Sequence, residues 1–308
     1  MVDDVAFSPD GTMLAIASGE GTSTYLWNLA SGKMTTLTDP GDPSKDNING
    51  VAFSPNSKTL AVGDGNGTTY LWNLASGQIT HTLTDPDSQS DGIIYQIAWS
   101  GNGAALAVVG LSNIYLWQMP SGQVTTVKMP AGALGGNSVA LNSAGTTLAV
   151  GDFNGSTYLW NIASGQFTET LPYPGKFTES VDSVNVAFSP DGTTLAVGDD
   201  SGATYLWNLA SRKIAATLMP RDLKAAVDSV AFSPDGKTLA VGESNGATYV
   251  WNLLTDKSTA TLTDPVIPSP GIPNTQTVSS VAFSPDGTTL AIGDYDGGFY
   301  LWKRNAHT

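Results

Sequence analysis

The stretch VAFSPDGTTLAVGDDSGATYLWNLAS, Val186–Ser211, is followed by a near copy of itself, VAFSPDGKTLAVGESNGATYVWNLLT, Val230–Thr255. The two copies share a Ser-Pro-Asp-Gly turn, a Leu-Ala-Val run and a Tyr-x-Trp ending. Internal repetition at a fixed spacing is typical of architectures in which each unit covers a face that its neighbour cannot bury alone. The repeat unit is therefore the feature that decides the fold.

The same unit recurs seven times along the 308 residues, at spacings of 43 to 51 residues. In every unit a Tyr stands two residues before a Trp, and a Leu-Ala pair stands upstream. The length alone is compatible with two domains or one large all-β domain. Because the units fill nearly the whole chain, we interpret residues 1–308 as a single domain. The repeats are centred on Trp27, Trp72, Trp117, Trp160, Trp207, Trp251 and Trp302.

Each unit contains four short segments rich in β-branched and aromatic residues, separated by turn-forming sequences. Ser-Pro-Asp-Gly, Asn-Gly and Ala-Ser-Gly are the turns between them. Four-stranded units at this spacing predict an all-β, seven-bladed β-propeller of four-stranded antiparallel blades. The sequence supplies seven first, second and third strands but only six fourth strands. We therefore predict that the last blade lacks its outer strand and that its open edge allows self-association.

Composition excludes several classes of partner. The net charge is −14, and the 13 Lys and Arg form no basic stripe, so nucleic acid is not an expected partner. With no cysteine, the chain has neither disulfides nor thiolate metal sites. No run of 18 apolar residues is present, so direct membrane insertion is not expected. The chain begins inside a repeat unit, which indicates a domain excised from a longer protein.

The residues VAFSPDG and Leu-Trp in each unit resemble WD40 repeats, and the resemblance covers residues 1–308. It implies a non-catalytic platform for protein interaction. The Gly-His dipeptide of that family is missing, and Trp-Asp has become Trp-Asn in five units. In place of Gly-His stands TLTDP, at Thr36–Pro40, Thr82–Pro86 and Thr261–Pro265.

The combination of TLTDP with VAFSPDGTTLAVGDGNG resembles the C-terminal WD40 regions of actinobacterial serine/threonine protein kinases. This resemblance implies a sensory domain on the extracytoplasmic side of a bacterial cell. A cytoplasmic location is the alternative.

The acidic residues concentrate on one rim of the predicted propeller, where the second-to-third strand turns and the inter-blade loops meet. We expect an acidic ring around one mouth of the central channel, which would attract a basic protein or peptide. The simpler alternative is that these acids form turns and maintain solubility. The candidate binding residues are Asp4, Asp64, Asp152, Asp182, Asp199, Asp228, Glu243 and Asp294.

Two further function classes stay open. One is a sensor that binds a cation or small ligand in the central channel, and the other, less favoured, is a propeller hydrolase. His81 lies in an outer strand and His307 in the tail, so no Ser-His-Asp triad is expected. The DGNG, DFNG and DYDG segments lack the bidentate Glu of a calcium loop. We therefore predict no catalytic residue, metal or cofactor.

Overall fold

The computed structural model describes residues 1–19, 21–40, 47–84, 93–110, 113–119, 121–174, 184–220, 225–263 and 277–304. Within these ranges the chain forms seven separate antiparallel sheets. The first strand of each sheet lies against the first strand of the next, and the seventh sheet contacts the first. The sheets therefore close into a ring, which confirms the predicted seven-bladed propeller.

Every blade is a meander that runs from the central channel to the perimeter. The first strands are β1 (Val2–Phe7), β5 (Ile48–Phe53), β9 (Ile94–Trp99), β13 (Gly136–Leu141), β17 (Val184–Phe188), β21 (Val227–Phe232) and β25 (Val278–Phe283). The second strands are β2 (Met13–Ser18), β6 (Thr59–Asp64), β10 (Ala105–Gly110), β14 (Thr147–Asp152), β18 (Thr194–Asp199), β22 (Thr238–Glu243) and β26 (Thr289–Asp294). The third strands are β3 (Ser23–Asn28), β7 (Thr68–Asn73), β11 (Ile114–Gln118), β15 (Thr157–Asn161), β19 (Thr204–Asn208), β23 (Ala247–Asn252) and β27 (Phe299–Lys303). The outer strands are β4 (Met34–Thr38), β8 (Gln78–Thr84), β12 (Gln123–Val127), β16 (Gln166–Leu171), β20 (Lys213–Leu218) and β24 (Lys257–Thr263).

The Ser-Pro-Asp-Gly turn is held by its own side chains. Ser8 donates its hydroxyl to Asp10 Oδ1 at 2.6 Å, and the same oxygen accepts the backbone N–H of Thr12 at 3.0 Å. Gly11 adopts φ +71°, a left-handed conformation that favours glycine. These bonds hold the pKa of Asp10 below its usual value, so the turn carboxylate stays ionised.

In five units the Asn that follows the repeat Trp closes the third turn. Asn73 Oδ1 accepts the backbone N–H groups of Ala75 and Ser76, both at 3.0 Å. An amide oxygen accepts such bonds as well as a carboxylate does. The change from Trp-Asp to Trp-Asn therefore preserves the turn.

The core lies between the blades. Tyr158 and Trp160 pack with Leu116 of the preceding blade, whereas Leu159 packs with Val184 of the following blade. The third strand therefore has an aromatic face toward the preceding blade and an aliphatic face toward the following one. Trp160 is only 7% exposed, and burial of such a side chain contributes about 3 kcal/mol.

Close approach of neighbouring blades requires glycine at the end of the second strand in several units. A Cβ added at Gly198 would lie 2.3 Å from Cγ1 of Val227, which is far inside van der Waals contact. The following blade therefore uses the space that a side chain would occupy.

The TLTDP segment that replaces Gly-His links two blades. Asp39, 4% exposed, accepts the indole N–H of Trp72 in the next blade at 3.0 Å. Because the donor is buried, this bond satisfies an indole N–H that would otherwise be left without a partner. The corresponding aspartates Asp85 and Asp264 lie outside the described residues.

The seventh blade has three strands in the described part of the chain, β25, β26 and β27, which confirms the prediction that it lacks its outer strand. Its third strand is consequently less covered than the others. Leu71 and Leu159 are 1% and 5% exposed, whereas the equivalent Leu301 is half-buried.

Candidate site at the channel mouth

One mouth of the central channel is shaped by irregularities in the first strands. Each first strand pairs with the second strand of its own blade. In six of the seven described pairs a register shift inserts one extra residue near the start of the first strand, whereas β17 pairs without a shift. A bulge of this kind re-aims a side chain, often beside a functional site. The inserted residues are Asp3, Asn49, Tyr95, Asn137, Asp228 and Ser279.

These residues line a cavity of about 490 Å³ to which the first strands of all seven blades contribute. Two second-to-third strand turns add aromatic rings to it. Phe153 packs edge-on against Tyr95, with ring centroids 5.9 Å apart, and Tyr295 is 44% exposed at the mouth. The cavity therefore combines carboxylates, amides and aromatic rings.

A ring of hydrogen bonds below the mouth ties each blade to the next. Polar side chains near the start of one first strand bond to the backbone of the following first strand at every blade junction. The bonds are Asp4 to Val51 N–H, Asn49 to Ile94 C=O, Gln96 to Val139 N–H, Ser138 to Val186 N–H, Asn185 to Val227 C=O, Ser229 to Val281 N–H and Ser279 to Val2 C=O. These polar groups are thus fixed by the ring closure.

Asp4 belongs to this ring, and its oxygens accept hydrogen bonds from two other blades. They accept the Val51 N–H at 2.9 Å and the Ser280 hydroxyl at 2.7 Å. Burial nevertheless raises the pKa of Asp4 to about 6, because the hydrogen bonds offset only part of the desolvation and nearby Asp3 adds like charge. Asp4 therefore serves mainly to join blades.

Asp3 and Asp228 also face the mouth, but their carboxylates are less completely hydrogen-bonded than that of Asp4. Each has one covered carboxylate oxygen without a hydrogen-bond partner among the described residues. Burial raises the pKa of Asp3 to about 6, and burial together with the charge of Asp200 raises the pKa of Asp228 to about 7. The pKa of Tyr295 is also raised, mainly by burial of its own side chain and further by the charges of Asp3 and Asp228. The N-terminal amino group of Met1 partly offsets the rise at Asp3, so this side of the mouth is an electronegative site in which two carboxylate oxygens have no donor among the described residues.

The other predicted rim residues occupy a different environment. Five acids end the second strands, are at most 1% exposed, and accept hydrogen bonds from the following turn or a neighbouring loop: Asp64, Asp152, Asp199, Glu243 and Asp294. For example, Asp199 accepts the Ser201 hydroxyl at 2.7 Å and the Ala203 N–H at 3.0 Å. Their side chains are turned into the hairpins, as the simpler alternative expects. Asp228 differs from these five acids because it lines the cavity, and Asp182 lies outside the described residues.

Glu243 is the member of the five buried acids whose charge interacts with that of Asp228 at the mouth. Burial raises the pKa of Glu243 to about 7. The hydrogen bond from Asn245 limits this rise, and the negative charge of Asp228 adds to it. The charge of Asp228 thus opposes ionisation of Glu243, which does not itself reach the surface.

Several mouth residues were not among the sequence candidates. Asp3, Tyr95, Phe153 and Tyr295 line the cavity together with Asp4 and Asp228. A signal was present in the sequence, because each first strand carries polar residues just before Val-Ala-Phe or its variants, where an apolar strand would continue. The bulge that turns these residues toward the channel is a property of strand pairing.

Metal-binding clusters and membrane-spanning helices are both absent from the described ranges. No group of three or more His, Asp or Glu side chains there could hold a metal ion. In the same ranges, no helix has the length and apolar character needed to cross a membrane.

Comparison with known proteins identifies the class. A family model described as the IFT122 first beta-propeller matches residues 1–303, so the chain belongs to this WD40-like propeller family. The chain is also similar to the WD repeat-containing protein VIP3 of Arabidopsis thaliana, with 42% identity over 72 residues. The match covers 20% of this chain and 22% of that protein.

Propellers of the WD-repeat type are typically platforms for protein interaction and are generally non-catalytic. The similarity to kinase regions and the location that it implies stay predictions.

Proposed function

We propose that the protein is a non-catalytic platform that binds a basic segment of a partner protein at the channel mouth. The observation that carries this proposal is the combination of donor-poor carboxylates and aromatic rings at one site. Asp3 and Asp228 each keep a covered oxygen without a partner in the described ranges. A lysine or arginine side chain would supply the missing donors, and Tyr295 offers a ring for cation–π contact.

Long-range electrostatics favours the same partner. The net charge of −14 attracts basic chains before contact, and such steering weakens as salt screens it. Binding should also weaken as the pH falls from about 8 to 5.5, because Asp228 and Asp3 become protonated near pH 7 and 6. A cation in the site would in turn lower both pKa values.

The test is fluorescence anisotropy with a labelled Lys/Arg-rich peptide, measured at low and high salt. We expect Asp228→Asn to weaken binding about tenfold, a change of ~1.4 kcal/mol. Asp256→Asn is the matched control, since Asp256 is exposed on the opposite rim and its φ of +53° suits asparagine. Equal weakening of peptide binding by both variants, or an affinity that does not change with salt concentration, would contradict a specific role of the channel mouth in binding.

A second candidate is a sensor for a small cation or solute in the same cavity. Its volume of about 490 Å³ lies within the range of small-molecule sites. A thermal-shift series with Ca²⁺, a quaternary amine and neutral sugars separates this function from peptide binding. Stabilisation by one of these compounds, together with no peptide binding, would favour the sensor.

The sensory role within a kinase rests on the sequence resemblance alone. It predicts that the parent gene encodes a kinase domain and a membrane-spanning segment ahead of Met1. Sequencing that gene tests the role directly.

A further inference from the structure

Among the described residues no strand pairs with the outer edge of β27, and this edge is separate from the channel mouth. The repeat Trp is 6% or 7% exposed in four other blades, whereas Trp302 in β27 is half-buried, as are Trp27 and Trp117. A cavity of about 620 Å³, lined by Phe7, Trp27, Leu29 and Leu301 among others, lies between this edge and the first blade. An equivalent cavity of about 660 Å³ lies between the fifth and sixth blades, but there Ala215 and Ala216 of the outer strand form part of its wall, which the seventh blade lacks.

The side chains of β27 are adapted to this open edge. Phe299 stands where five other blades have threonine, as in Thr157 and Thr204, whose outer-strand partners are leucines. The third blade has Ile114 at this position. The Phe299 ring packs edge-on against Trp27 of the first blade, with centroids 5.7 Å apart. Phe299 therefore covers part of the surface that an outer leucine covers elsewhere, so a strand added here needs a slender side chain opposite Phe299.

One hydrogen bond shows which backbone N–H and C=O groups of β27 face away from the blade. The Arg304 N–H donates to the Thr288 carbonyl at 2.8 Å, which places Arg304 in a hydrogen-bonded pair with the neighbouring strand. Because such pairs alternate along an antiparallel ladder, the backbone groups of Phe299, Leu301 and Lys303 point away from β26. These alternate residues form a template for one more strand.

The charges that flank β27 select its partner. Asp296 is exposed just before the strand, and Lys303 and Arg304 stand at its end. A second copy of β27 in antiparallel orientation brings the basic end of each strand next to the acidic end of the other. Charge complementarity therefore favours a second copy of this chain.

We propose that two copies pair β27 with β27 around a two-fold axis at Leu301, forming one six-stranded sheet across the dimer. Leu301 lies opposite Leu301 of the second copy, and Phe299 lies opposite Lys303 of the second copy. The slender lysine side chain meets the requirement at Phe299. Tyr300 of the second copy lies opposite Trp302, where Phe167 lies opposite Trp160 in the fourth blade. Five-residue strands bury a small area, so the dimer forms in the micromolar range.

Cysteine cross-linking tests the register, since the chain has no natural cysteine. Opposite residues in a hydrogen-bonded pair have Cα atoms about 5.5 Å apart, within disulfide range. Leu301→Cys is therefore expected to form a disulfide-linked dimer under mild oxidation, and Lys303→Cys is not. Leu254→Cys, at a residue 91% exposed, is the control for random collision. Cross-linking of Leu301→Cys no faster than this control would overturn the proposal.

Sedimentation velocity over about 1 to 200 µM tests the association itself. The average mass of the unmodified protein should rise from 31.9 kDa toward twice that value. Lys303→Glu should raise the dissociation constant about fivefold or more, and the added change Asp296→Lys should restore it. Lys58→Glu, with the same charge change on a distant exposed turn, should have no effect. A monomer at every concentration overturns the proposal, and binding of a Gln78–Thr84 peptide to that monomer would assign the edge to a separate strand instead.

Discussion

Replacing Asp228 with asparagine should stabilise the protein at alkaline pH, although it removes a side chain from the proposed site. The pKa of Asp228 rises from 3.8 to about 7 on folding, mainly through burial. Because the folded-state pKa exceeds the unfolded value, the native state binds more protons between these pH values. The ionised side chain therefore costs stability above pH 7, and this cost disappears as the pH falls toward 4.

The magnitude follows from the shift. A rise of about three pKa units corresponds to about 4 kcal/mol, and partial exposure of the carboxylate reduces this to about 2 kcal/mol through solvent screening. The amide introduced by Asp228→Asn would carry no charge, and the substitution breaks no hydrogen bond of the covered oxygen, which has no partner among the described residues. We expect this variant to raise the free energy of unfolding by about 2 kcal/mol at pH 8 and by almost nothing at pH 4.

Guanidinium denaturation at pH 4, 6 and 8 measures this difference directly. Asp256→Asn serves as the control, since its exposed side chain should leave the pH dependence unchanged. A lower stability of the Asp228→Asn variant at pH 8, or an equal effect at pH 4 and pH 8, would refute the conclusion that burial disfavours ionisation of Asp228. The expected gain in stability with a loss of peptide binding is the pattern of a functional residue.

Three further substitutions test the packing. Gly198→Ala should lower the free energy of unfolding by about 3 kcal/mol, because its Cβ would lie 2.3 Å from Val227; a change below about 1 kcal/mol, measured by denaturation, would show that the blades separate easily. Trp72→Phe should cost about 2 kcal/mol in the same assay by removing the donor to buried Asp39, and an unchanged midpoint would contradict that role. Gln96→Ala removes two hydrogen bonds to the fourth blade and should cost about 2 kcal/mol, which thermal unfolding checks; full stability would mean that water replaces the bonds.

Much of the fold could be predicted because the repeat encodes it locally. The alternation of Tyr and Trp against Thr and Leu in TYLWN identifies the two faces of the third strand. The three strands of the seventh blade in the described part of the chain could be predicted by counting the strand segments of each repeat. Turn residues were also readable, since Ser-Pro-Asp-Gly requires a left-handed residue at its end.

The site was predicted less completely. Asp64 and Asp199 look like Asp228 in the sequence, since each stands at the end or start of a strand near the same rim. In the structure Asp199 is buried under its own turn, whereas Asp228 occupies a bulge that faces the channel. Only the pairing of strands distinguishes a carboxylate that closes a hairpin from one that faces the cavity.

The sequence by itself determined the seven-fold repeat and the strands with their turns, because these depend on interactions within one unit. Tertiary structure alone decided which acids remain available, how Phe299 covers an open edge, and how seven polar bonds join the blades around the channel. Those features arise from contacts between units far apart in the chain, and burial and ring closure set them.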